Sequence, residues 1–518
     1  MSTERKKLGA LVLAMVLAGA CASIVILWAT PHGPGVSPDS TVYIETANSL
    51  VSKNGFFAYG EPLTHFPPTY PLLLAVTGFL QHADILQASR WLGALFFGAN
   101  IVLLGIAVQA CTERSLLATG TAMLLFLSHP QLIRIHSMAW SEPPFIMFTL
   151  AGLFLLAQHL VWPRTYLLLG SSFFIGLALT TRYVGIALLP PMIFALFFFG
   201  SRPMVHKTKD AVIATSVASL PLVCWLVRNL MTVQSATDRT FAIHPFGFAH
   251  AFELINTIYN FVLPIDISGV AKALHVALAA ALFVVAISLL RNKNYITCNE
   301  NSVRIVLPAL CLAFTFAYIA VLMISVSFFD AIIPFDYRVL SPVFLTLTVA
   351  TISLAWSLSQ ALDRRFIWYG FVFLVSVSIA INGVHAISVT VDIHNNGRGY
   401  NSRPWQNSEV ISYLSEIRDG RKVYSDEAEA VRFLAEKEAV SLPEKTFKFT
   451  RSLNNGYKEQ LNRIFGECAA GKVLVVYFNP RYLRDGKPGP TDREVIDANL
   501  PVLARFKDGI VYGRIPVG

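Results

Sequence analysis

The sequence predicts a polytopic α-helical membrane protein of about eleven transmembrane helices, followed by a small C-terminal α/β domain. Of its 518 residues, 54% are hydrophobic and only 14% are charged, and the mean hydropathy is +0.55. Soluble domains carry about 25% charged residues, so this composition excludes an ordinary soluble enzyme. Apolar runs of about 20 residues, long enough to cross a bilayer as helices, recur along the chain. Beyond about residue 390 the chain becomes polar.

Eleven apolar stretches are candidates for the transmembrane helices. The first follows the basic segment Glu4-Arg5-Lys6-Lys7. No small-residue cleavage site precedes the polar segment near Pro31, so we expect a retained helix rather than a signal peptide. The eleven stretches are residues 8–29, 88–110, 115–130, 143–161, 165–181, 184–200, 210–230, 270–290, 303–327, 339–360 and 366–389.

The charge distribution predicts the orientation of these helices. With the N-terminus in the cytoplasm, each predicted inner loop is short and basic, as the positive-inside rule requires, so the net charge of +9 does not indicate nucleic-acid binding. The inner basic residues are Arg114, Arg164, Arg202, Lys207, Lys209, Arg291, Lys293, Arg304, Arg364 and Arg365, and the outer carboxylates include Asp39, Glu45, Glu61, Glu142, Asp266 and Asp336. An odd number of spans places the tail outside. Because no N-x-S/T sequon occurs, we expect a bacterial inner membrane and a periplasmic tail.

The chain therefore divides into two predicted domains. Residues 1–390 form the transmembrane domain, in which residues 30–87 are a long first outer loop. In that loop, residues 40–51 have helical spacing, whereas the apolar residues 71–80 are too few to span a membrane. Residues 391–518 form the periplasmic domain.

The polar tail alternates between helical and strand-like patterns. Residues 408–418 are amphipathic, Lys422–Ser425 is strand-like, Glu427–Lys437 is helix-like, and Val473–Phe478 is an apolar run typical of a buried strand. Strands that alternate with helices predict a small α/β domain.

Two carboxylates of the predicted outer segments are candidates for catalysis. Asp39 precedes a helical pattern, so it is either an N-terminal cap or a general base that activates an acceptor hydroxyl at the membrane surface. Glu142, in Ser141-Glu142-Pro143-Pro144, either caps the helix that begins at the prolines or is a functional charge at the mouth of a span.

Several cationic and aromatic residues of the outer segments are candidates for substrate binding. Arg338, in the loop that also contains Asp336, is either an interfacial anchor or a clamp for a phosphate, whose oxygens match the guanidinium fork. Arg182 and Arg228 lie near other outer span ends and have the same two interpretations. The stretch from His65 to Pro71, which includes Tyr70, either forms a wall of the site or only stops a helix.

The sequence contains no cytoplasmic nucleotide site. No Walker motif, G-x-G-x-x-G motif or H-E-x-x-H motif occurs in a suitable context, and no Cys/His spacing typical of zinc appears. The polar chemistry lies in the outer segments, where nucleotide sugars are not available. An enzyme facing outward would therefore need a membrane-bound activated donor.

The order of short motifs along the chain resembles that of the GT-C glycosyltransferases, and most closely the bacterial protein-mannosyltransferase and aminoarabinose-transferase-like branch. The resemblance covers residues 8–390, and Val423-Tyr424-Ser425-Asp426 with Ser441-Leu442-Pro443 is similar to the periplasmic domain of that branch. The motifs are Asp39-x-x-x-Tyr43-x-x-x-Ala47, His65-x-Pro67-Pro68-x-Tyr70-Pro71, Ser141-Glu142-Pro143, Arg182-Tyr183, Trp225-x-x-Arg228-Asn229 and Arg338-x-Leu340-x-Pro342.

This resemblance implies an inverting transfer of a sugar from a polyprenyl-phosphate donor to an extracytoplasmic lipid, glycan or protein. It assigns the catalytic base to Asp39 and places Glu142 where it positions the acceptor or the base. For the donor phosphate, Arg338 is the best match, and Lys53 and Arg228 are weaker ones. The remaining substrate-binding candidates are Tyr43, His65, Tyr70, Arg182 and Asp336.

The sequence departs from the family pattern at one motif. Aminoarabinose transferases carry a lysine before the Pro-Pro pair of the first outer loop, whereas this chain has His65-Phe66, so aminoarabinose itself is in doubt as the substrate. No Asp-x-Asp motif accompanies Asp39, so we expect no obligatory divalent metal, although some relatives use one.

Two other function classes fit the arrangement of the sequence less well. An outer-leaflet polysaccharide polymerase or ligase would have a large central outer loop and little soluble tail, which is the reverse of this arrangement. A non-enzymatic transporter of lipid-linked sugars would show an internal repeat and charges at mid-membrane, and neither is evident.

Overall fold

The computed structural model describes residues 2–82, 84–199, 202–292, 302–330, 332–447, 450–479 and 493–514. Of the residues named above, Lys293 lies outside this part of the chain, as do Gly200 at the end of a predicted span and parts of the predicted periplasmic domain. From the N-terminus to residue 396 the elements are α1 (Ser2–Ala29), α2 (Pro38–Val51), β1 (Phe57–Ala58), β2 (Glu61–Pro62), α3 (Thr69–Gln81), α4 (Ile85–Cys111), α5 (Leu116–Leu127), α6 (Pro130–His136), α7 (Glu142–Val161), α8 (Thr165–Thr181), a 3-10 helix (Tyr183–Leu188), α9 (Leu189–Phe198), α10 (Met204–Val233), α11 (Phe248–Val262), α12 (Gly269–Asn292), α13 (Val303–Phe328), α14 (Ser341–Ala361) and α15 (Arg365–Asn396).

The protein is a multi-pass membrane protein, as predicted. In the described part of the chain, eight helices are long and apolar enough to span a bilayer, namely α1, α4, α7, α10, α12, α13, α14 and α15. The predicted span 115–130 is part of a helix pair, α5 and α6, that is bent by 65°. Pro130 at the start of α6 explains the break, because proline disfavours a helical conformation in the preceding residue.

Two of the predicted spans are shorter than a full crossing. Residues 165–181 form the 17-residue α8, and residues 184–198 are divided between the 3-10 helix and α9. Pro190 and Pro191 are the second and third residues of α9, so the preceding residues cannot continue a regular α-helix. The count of eleven is therefore accurate for apolar segments, whereas fewer of them are helices of full membrane length.

The first span packs closely against α4. At the crossing, Gly19 of α1 faces Gly98 of α4, and a Cβ atom on Gly98 would lie 2.5 Å from the carbonyl oxygen of Gly19. The Ser23 hydroxyl also donates a hydrogen bond of 2.8 Å to the Ala94 carbonyl. Small residues and inter-helix hydrogen bonds are the usual means of helix association in a bilayer, where apolar burial gives no net drive.

The first predicted outer loop is ordered around two short helices. Helix α2 confirms the helical pattern predicted at residues 40–51, and Ser37 caps its N-terminus in a reciprocal arrangement with Ser40. The apolar helix α3 has 13 residues, which span about 20 Å and cannot cross a hydrocarbon core of about 30 Å. The hairpin of β1 and β2 lies between these helices.

The C-terminal segment contains a five-stranded mixed sheet. Its elements are α16 (Arg403–Gln406), α17 (Glu409–Glu416), β3 (Lys422–Ser425), α18 (Ala428–Ala435), β4 (Ala439–Ser441), α19 (Tyr457–Ala469), β5 (Val473–Phe478), α20 (Arg493–Asn499), β6 (Val502–Arg505) and β7 (Gly509–Tyr512). The strand order is β4-β3-β5-β7-β6, with β3 parallel to both β4 and β5, and with β7 antiparallel to β5 and β6. The predicted strands at 422–425 and 473–478 are confirmed, as are the helices within 408–418 and 427–437.

A short backbone ladder joins the C-terminal segment to the first outer loop. The segment Gly35-Val36 forms parallel bridges with Met138 on one side and with Gly399 on the other. The Tyr400 amide donates to the Val36 carbonyl at 2.8 Å. Because Val36 lies three residues before Asp39, this ladder fixes the start of α2 relative to both neighbouring segments.

The ladder depends on glycine at position 399. Gly399 has φ +57°, and a Cβ atom there would lie 1.9 Å from the Val36 carbonyl oxygen. We predict that Gly399→Ala lowers the thermal unfolding temperature of the purified protein, because it adds this collision to about 1–2 kcal/mol of left-handed backbone strain. Gly420→Ala is the matched control, because Gly420 has φ +66° with open space around it. Equal shifts for the two variants would contradict a close approach at the ladder.

Candidate functional site

Four charged side chains meet at one end of the helical bundle. Asp39 lies in the first turn of α2, Glu142 is the first residue of α7, Arg182 follows α8, and Arg338 precedes α14. We call these four residues the charge cluster. All four are among the sequence-predicted site residues, and the fold brings them together from four separate segments.

Arg338 connects the two carboxylates of the charge cluster. Its Nη2 atom donates to Asp39 Oδ2 at 2.6 Å, and its Nε atom donates to Glu142 Oε1 at 2.6 Å. Arg182 Nη1 donates to the same Glu142 oxygen, and also to Ser141 Oγ at 3.1 Å. Two guanidinium groups thus balance two carboxylates, and such pairing offsets the cost of removing charges from water.

The members of the charge cluster differ in their access to solvent. The Glu142 side chain is 1% exposed, whereas the Asp39 side chain is 34% exposed. Burial lowers the pKa of Arg338, but the nearby carboxylates of Glu142 and Asp39 outweigh this effect and raise it above the ordinary value. Arg338 therefore stays charged, and Asp39 is the more accessible of the two carboxylates.

Local sequence explains where the two carboxylates lie. Ser37 caps α2, Pro38 occupies its first position, and Asp39 follows in the first turn. Glu142 likewise precedes two prolines at the start of α7. Negative charge is favourable at a helix N-terminus because the helix macrodipole is positive there. The prediction that Asp39 or Glu142 caps its helix is wrong, because the N-cap residues are Ser37 for α2 and Ser141 for α7, and each carboxylate lies inside the first turn.

Asp336 shapes the loop that presents Arg338. Its Oδ1 atom accepts a hydrogen bond of 2.9 Å from the Val339 amide, and its own carbonyl accepts from the Leu340 amide at 3.0 Å. Burial raises the pKa of Asp336 above its ordinary value. Asp336 thus closes the turn before α14, next to the charge cluster.

Trp140 supports the charge cluster and was not among the predicted residues. The Arg338 guanidinium lies over the Trp140 ring, 4.3 Å from its centroid, in a cation–π arrangement. The Trp140 indole N–H donates to Ser37 Oγ at 2.8 Å, which connects the ring to the cap of α2. Its position two residues before Glu142, at an outer span end, is the sequence signal that could have identified it.

An aromatic wall stands behind the cluster. The Tyr43 hydroxyl lies 3.4 Å from Ser141 Oγ, and its ring packs edge-on against Tyr70 with 5.1 Å between centroids. Tyr70 in turn contacts Ser89 Oγ at 3.2 Å. Burial raises the pKa of both phenols, so they remain protonated. Tyr43 therefore adjoins the charge cluster, and Tyr70 supports Tyr43.

Three predicted site residues lie apart from the charge cluster. Arg228 donates to the backbone carbonyls of Leu63 and Phe56, at 2.6 Å and 3.3 Å, and so fastens the first outer loop to α10. Lys53 is exposed and follows the far end of α2, about 20 Å along the helix from Asp39. His65 lines a cavity on another side of α2.

A cavity of about 490 Å³ adjoins the charge cluster, and we call it the arginine cavity. It contains three arginines, four aromatic side chains and two carboxylates. Sequence reasoning missed Arg134 and every contribution from the C-terminal segment, because nothing local marks those residues. Its lining residues are Val36, Ser37, Pro38, Gln131, Arg134, Ile135, Met138, Trp140, Asp336, Tyr337, Arg338, Arg398, Gly399, Tyr400, Trp405 and Glu427.

A second cavity, of about 850 Å³, lies against another face of α2. Thr41, Glu45 and Asn48 of α2 line it, together with His65 and with residues 422, 432, 433 and 436–440 of the C-terminal segment. Burial lowers the pKa of His65, as does the neighbouring Arg239, whereas the charge of Asp39 acts in the opposite direction. His65 therefore belongs to the second cavity and not to the charge cluster.

The carboxylates of the charge cluster are bonded to arginines rather than gathered around a cation site. Within the described ranges, no group of three or more His, Cys, Asp or Glu residues has the arrangement of a metal site. Arg338 contacts both Asp39 and Glu142, and Arg182 contacts Glu142.

Comparison with known proteins identifies the fold. No protein-family model and no curated protein matches the sequence. Among solved structures, the aminoarabinose transferase ArnT from Cupriavidus metallidurans in the apo state is 15% identical, with a TM-score of 0.60 over 97% of this chain and 98% of that one. The structure of the same protein bound to undecaprenyl phosphate is 13% identical in sequence, with a TM-score of 0.59 over the same shares of the two chains.

A second solved protein gives the same result over a shorter overlap. The oligosaccharyltransferase AglB from Archaeoglobus fulgidus, in complex with an inhibitory peptide and a dolichol-phosphate, is 13% identical with a TM-score of 0.54. That match covers 90% of this chain and 69% of AglB. Identities this low establish the fold alone. The chain therefore has the GT-C fold, and the resemblance that its motif order indicates is confirmed at that level.

Proposed function

We propose that this protein is a membrane glycosyltransferase that moves a sugar from a polyprenyl-phosphate donor to an extracytoplasmic acceptor. The observation that carries this proposal is the contact of Arg338 with Asp39 beside the arginine cavity. This contact places a partly exposed carboxylate next to a guanidinium that faces a cavity of ligand size. The GT-C fold and the binding of polyprenyl phosphates by ArnT and AglB support the class of donor.

Arg338 is the proposed ligand of the donor phosphate. A guanidinium has five N–H groups, and in the described part of the chain Arg338 uses two of them for Asp39 and Glu142. The remaining donors can hold phosphate oxygens in a bidentate manner. The negatively charged donor phosphate would compete with Asp39 for the guanidinium. The contact of Asp39 with Arg338 would then weaken, and the Asp39 carboxylate would become available to an acceptor hydroxyl.

The proposed reaction is a direct displacement at the anomeric carbon. The acceptor oxygen forms a bond to C1 while the bond between C1 and the phosphate oxygen breaks. The electron pair of the broken bond stays on the phosphate oxygen. Asp39 takes the proton of the acceptor hydroxyl. The polyprenyl phosphate leaves as an anion without protonation, and Arg338 stabilises its charge in a site where little water competes.

Glu142 supports the reaction indirectly in this proposal. It is buried, and its Oε1 atom accepts from both Arg338 and Arg182. These hydrogen bonds hold the Arg338 guanidinium in a fixed position beside Asp39. Of the two roles that the family resemblance suggests for Glu142, the geometry favours positioning the catalytic machinery over contact with the acceptor.

The proposed location is a bacterial inner membrane, with the charge cluster and the C-terminal segment on the periplasmic side. The basic residues of the predicted inner loops support this orientation under the positive-inside rule. A lipid, a glycan or a protein can each supply the acceptor hydroxyl.

Substitution of Asp39 tests its proposed role as the base. Asp39→Asn removes proton acceptance with little change in shape, so transfer from radiolabelled polyprenyl-phosphate sugars to an envelope extract should fall about 100- to 10,000-fold. Asp363→Asn is the control, because Asp363 lies in the loop between α14 and α15 with φ +49°, a conformation that asparagine tolerates. Full transfer by Asp39→Asn would remove Asp39 as the base.

The second prediction concerns charge balance. Glu142→Gln leaves two partly buried guanidinium groups without their shared anion and should destabilise the protein by about 1–3 kcal/mol. The double variant Glu142→Gln/Arg182→Gln has no excess charge and should recover part of this loss. Thermal unfolding of the single and double variants measures the coupling. Additive effects of the two substitutions would show that the pair does not interact.

The third prediction concerns metals. Because arginines neutralise the charge of the carboxylates and of the leaving phosphate in this proposal, transfer should be unchanged after EDTA treatment and dialysis. Restoring Mg²⁺, Mn²⁺ or Zn²⁺ should then have no stimulating effect. Loss of transfer with EDTA and recovery with one of these ions would require a metal-dependent mechanism.

A further inference from the structure

The two cavities beside α2 are surrounded by different parts of the chain. The arginine cavity is lined by Gln131, Arg134 and Ile135 of α6, which belongs to a bent helix pair apolar enough to span the membrane. The second cavity is lined by the first outer loop, Asp238 and the C-terminal segment. A polyprenyl chain remains in hydrocarbon because of its large apolar surface. Of the two, the arginine cavity is therefore the one that a lipid-linked headgroup can enter from the membrane.

The lining of the arginine cavity suits a sugar as well as a phosphate. Trp140, Tyr337, Tyr400 and Trp405 offer aromatic surface for the apolar faces of a sugar ring. Glu427 offers carboxylate oxygens, which accept hydrogen bonds from hydroxyl groups. The volume of about 490 Å³ lies within the range of small-molecule pockets and suits a headgroup of one sugar and its phosphate.

The C-terminal segment contributes a preformed polar pair to this cavity. The Tyr400 hydroxyl donates to Glu427 Oε2 at 2.9 Å. The Tyr400 ring packs edge-on against Trp405, with 5.2 Å between centroids, and its amide is fixed to the Val36 carbonyl by the ladder. Burial and the Glu427 charge raise the Tyr400 pKa, so the phenol remains a hydrogen-bond donor. The pair is therefore rigid before a ligand arrives.

The pair lines the same cavity as Arg338, the one member of the charge cluster among the residues that line it. Arg338, which contacts Asp39, lines the cavity together with Ser37 and Pro38, which directly precede Asp39. If Arg338 binds the donor phosphate, the attached sugar would lie between the start of α2 and the residues of the C-terminal segment that line the cavity. This position brings the sugar within reach of both Tyr400 and Glu427.

From this geometry we infer that the Tyr400–Glu427 pair binds the hydroxyl groups of a single sugar carried by the polyprenyl-phosphate donor, and so selects which sugar is transferred. The inference rests on the proposed function, which it extends by assigning sugar selection to the C-terminal segment. Tyr400 and Glu427 are specificity-determining residues in this assignment, whereas Arg338 holds the phosphate.

The first test compares binding of two lipids by the purified full-length protein. Affinities for polyprenyl phosphate and for polyprenyl-phosphate monosaccharides are measured with wild type, Tyr400→Phe and Glu427→Gln. Loss of hydrogen bonds to the sugar should weaken binding of the preferred monosaccharide donor about ten-fold and leave binding of polyprenyl phosphate unchanged. Equal weakening for both lipids would show a structural role only and would overturn the inference.

The matched control is Tyr512→Phe. Tyr512 also donates to a carboxylate, Asp497 Oδ1 at 2.6 Å, but it lies on β7 and does not line the arginine cavity. This variant should bind both lipids like wild type. If Tyr512→Phe weakens binding of the sugar-bearing donor as much as Tyr400→Phe does, the effect comes from the C-terminal fold and the inference fails.

The second test measures specificity during transfer. Transfer is compared for donors that differ in the orientation of one hydroxyl. Tyr400→Phe and Glu427→Gln should raise KM for the preferred donor and change kcat less. The ratio of kcat/KM between the preferred donor and the other donors should therefore fall. An unchanged ratio with active enzyme would overturn this inference and leave the proposed function intact. No transfer by wild type from any donor would overturn the proposed function itself.

Discussion

The contact of one guanidinium with two carboxylates, Arg338 with Asp39 and Glu142, is the interaction on which the arrangement of the site depends. Asp39 and Arg338 are 299 residues apart in the chain, and their 2.6 Å hydrogen bond fixes the start of α2 against the start of α14. Buried charges are costly unless they are paired, so each member of the charge cluster constrains the others. Arg182 completes the balance through its contact with Glu142.

The bilayer explains why this cluster forms at helix ends. Charges are costly in the hydrocarbon core, and helix N-termini at its edge provide both partial positive charge and access to water. Asp39 and Glu142 each occupy such an N-terminus. In the proposed mechanism their different depths separate two tasks, because the partly exposed Asp39 meets the acceptor while the buried Glu142 orients two arginines.

The C-terminal segment belongs to the same structural unit as the site. Val36 pairs with Gly399, and the chain that continues from there supplies Tyr400 and Trp405 to the arginine cavity. The central strand β5 is buried on both faces, so it is a firm support for this wall. Rigid side chains select ligands more sharply than mobile ones, because little ordering entropy is lost on binding.

The sequence by itself determined the apolar segments, the helix α2 and the strands at 422–425 and 473–478. It also identified four site candidates, Asp39, Glu142, Arg182 and Arg338. Periodicity, caps and charges at span ends are local signals, so they can be recognised without the fold. Tertiary structure alone decided the rest. It separated Lys53 and Arg228 from the charge cluster and added Tyr400 and Glu427 to the lining of the arginine cavity. The reason is physical: contacts between segments hundreds of residues apart depend on helix packing and strand pairing, which no local pattern encodes.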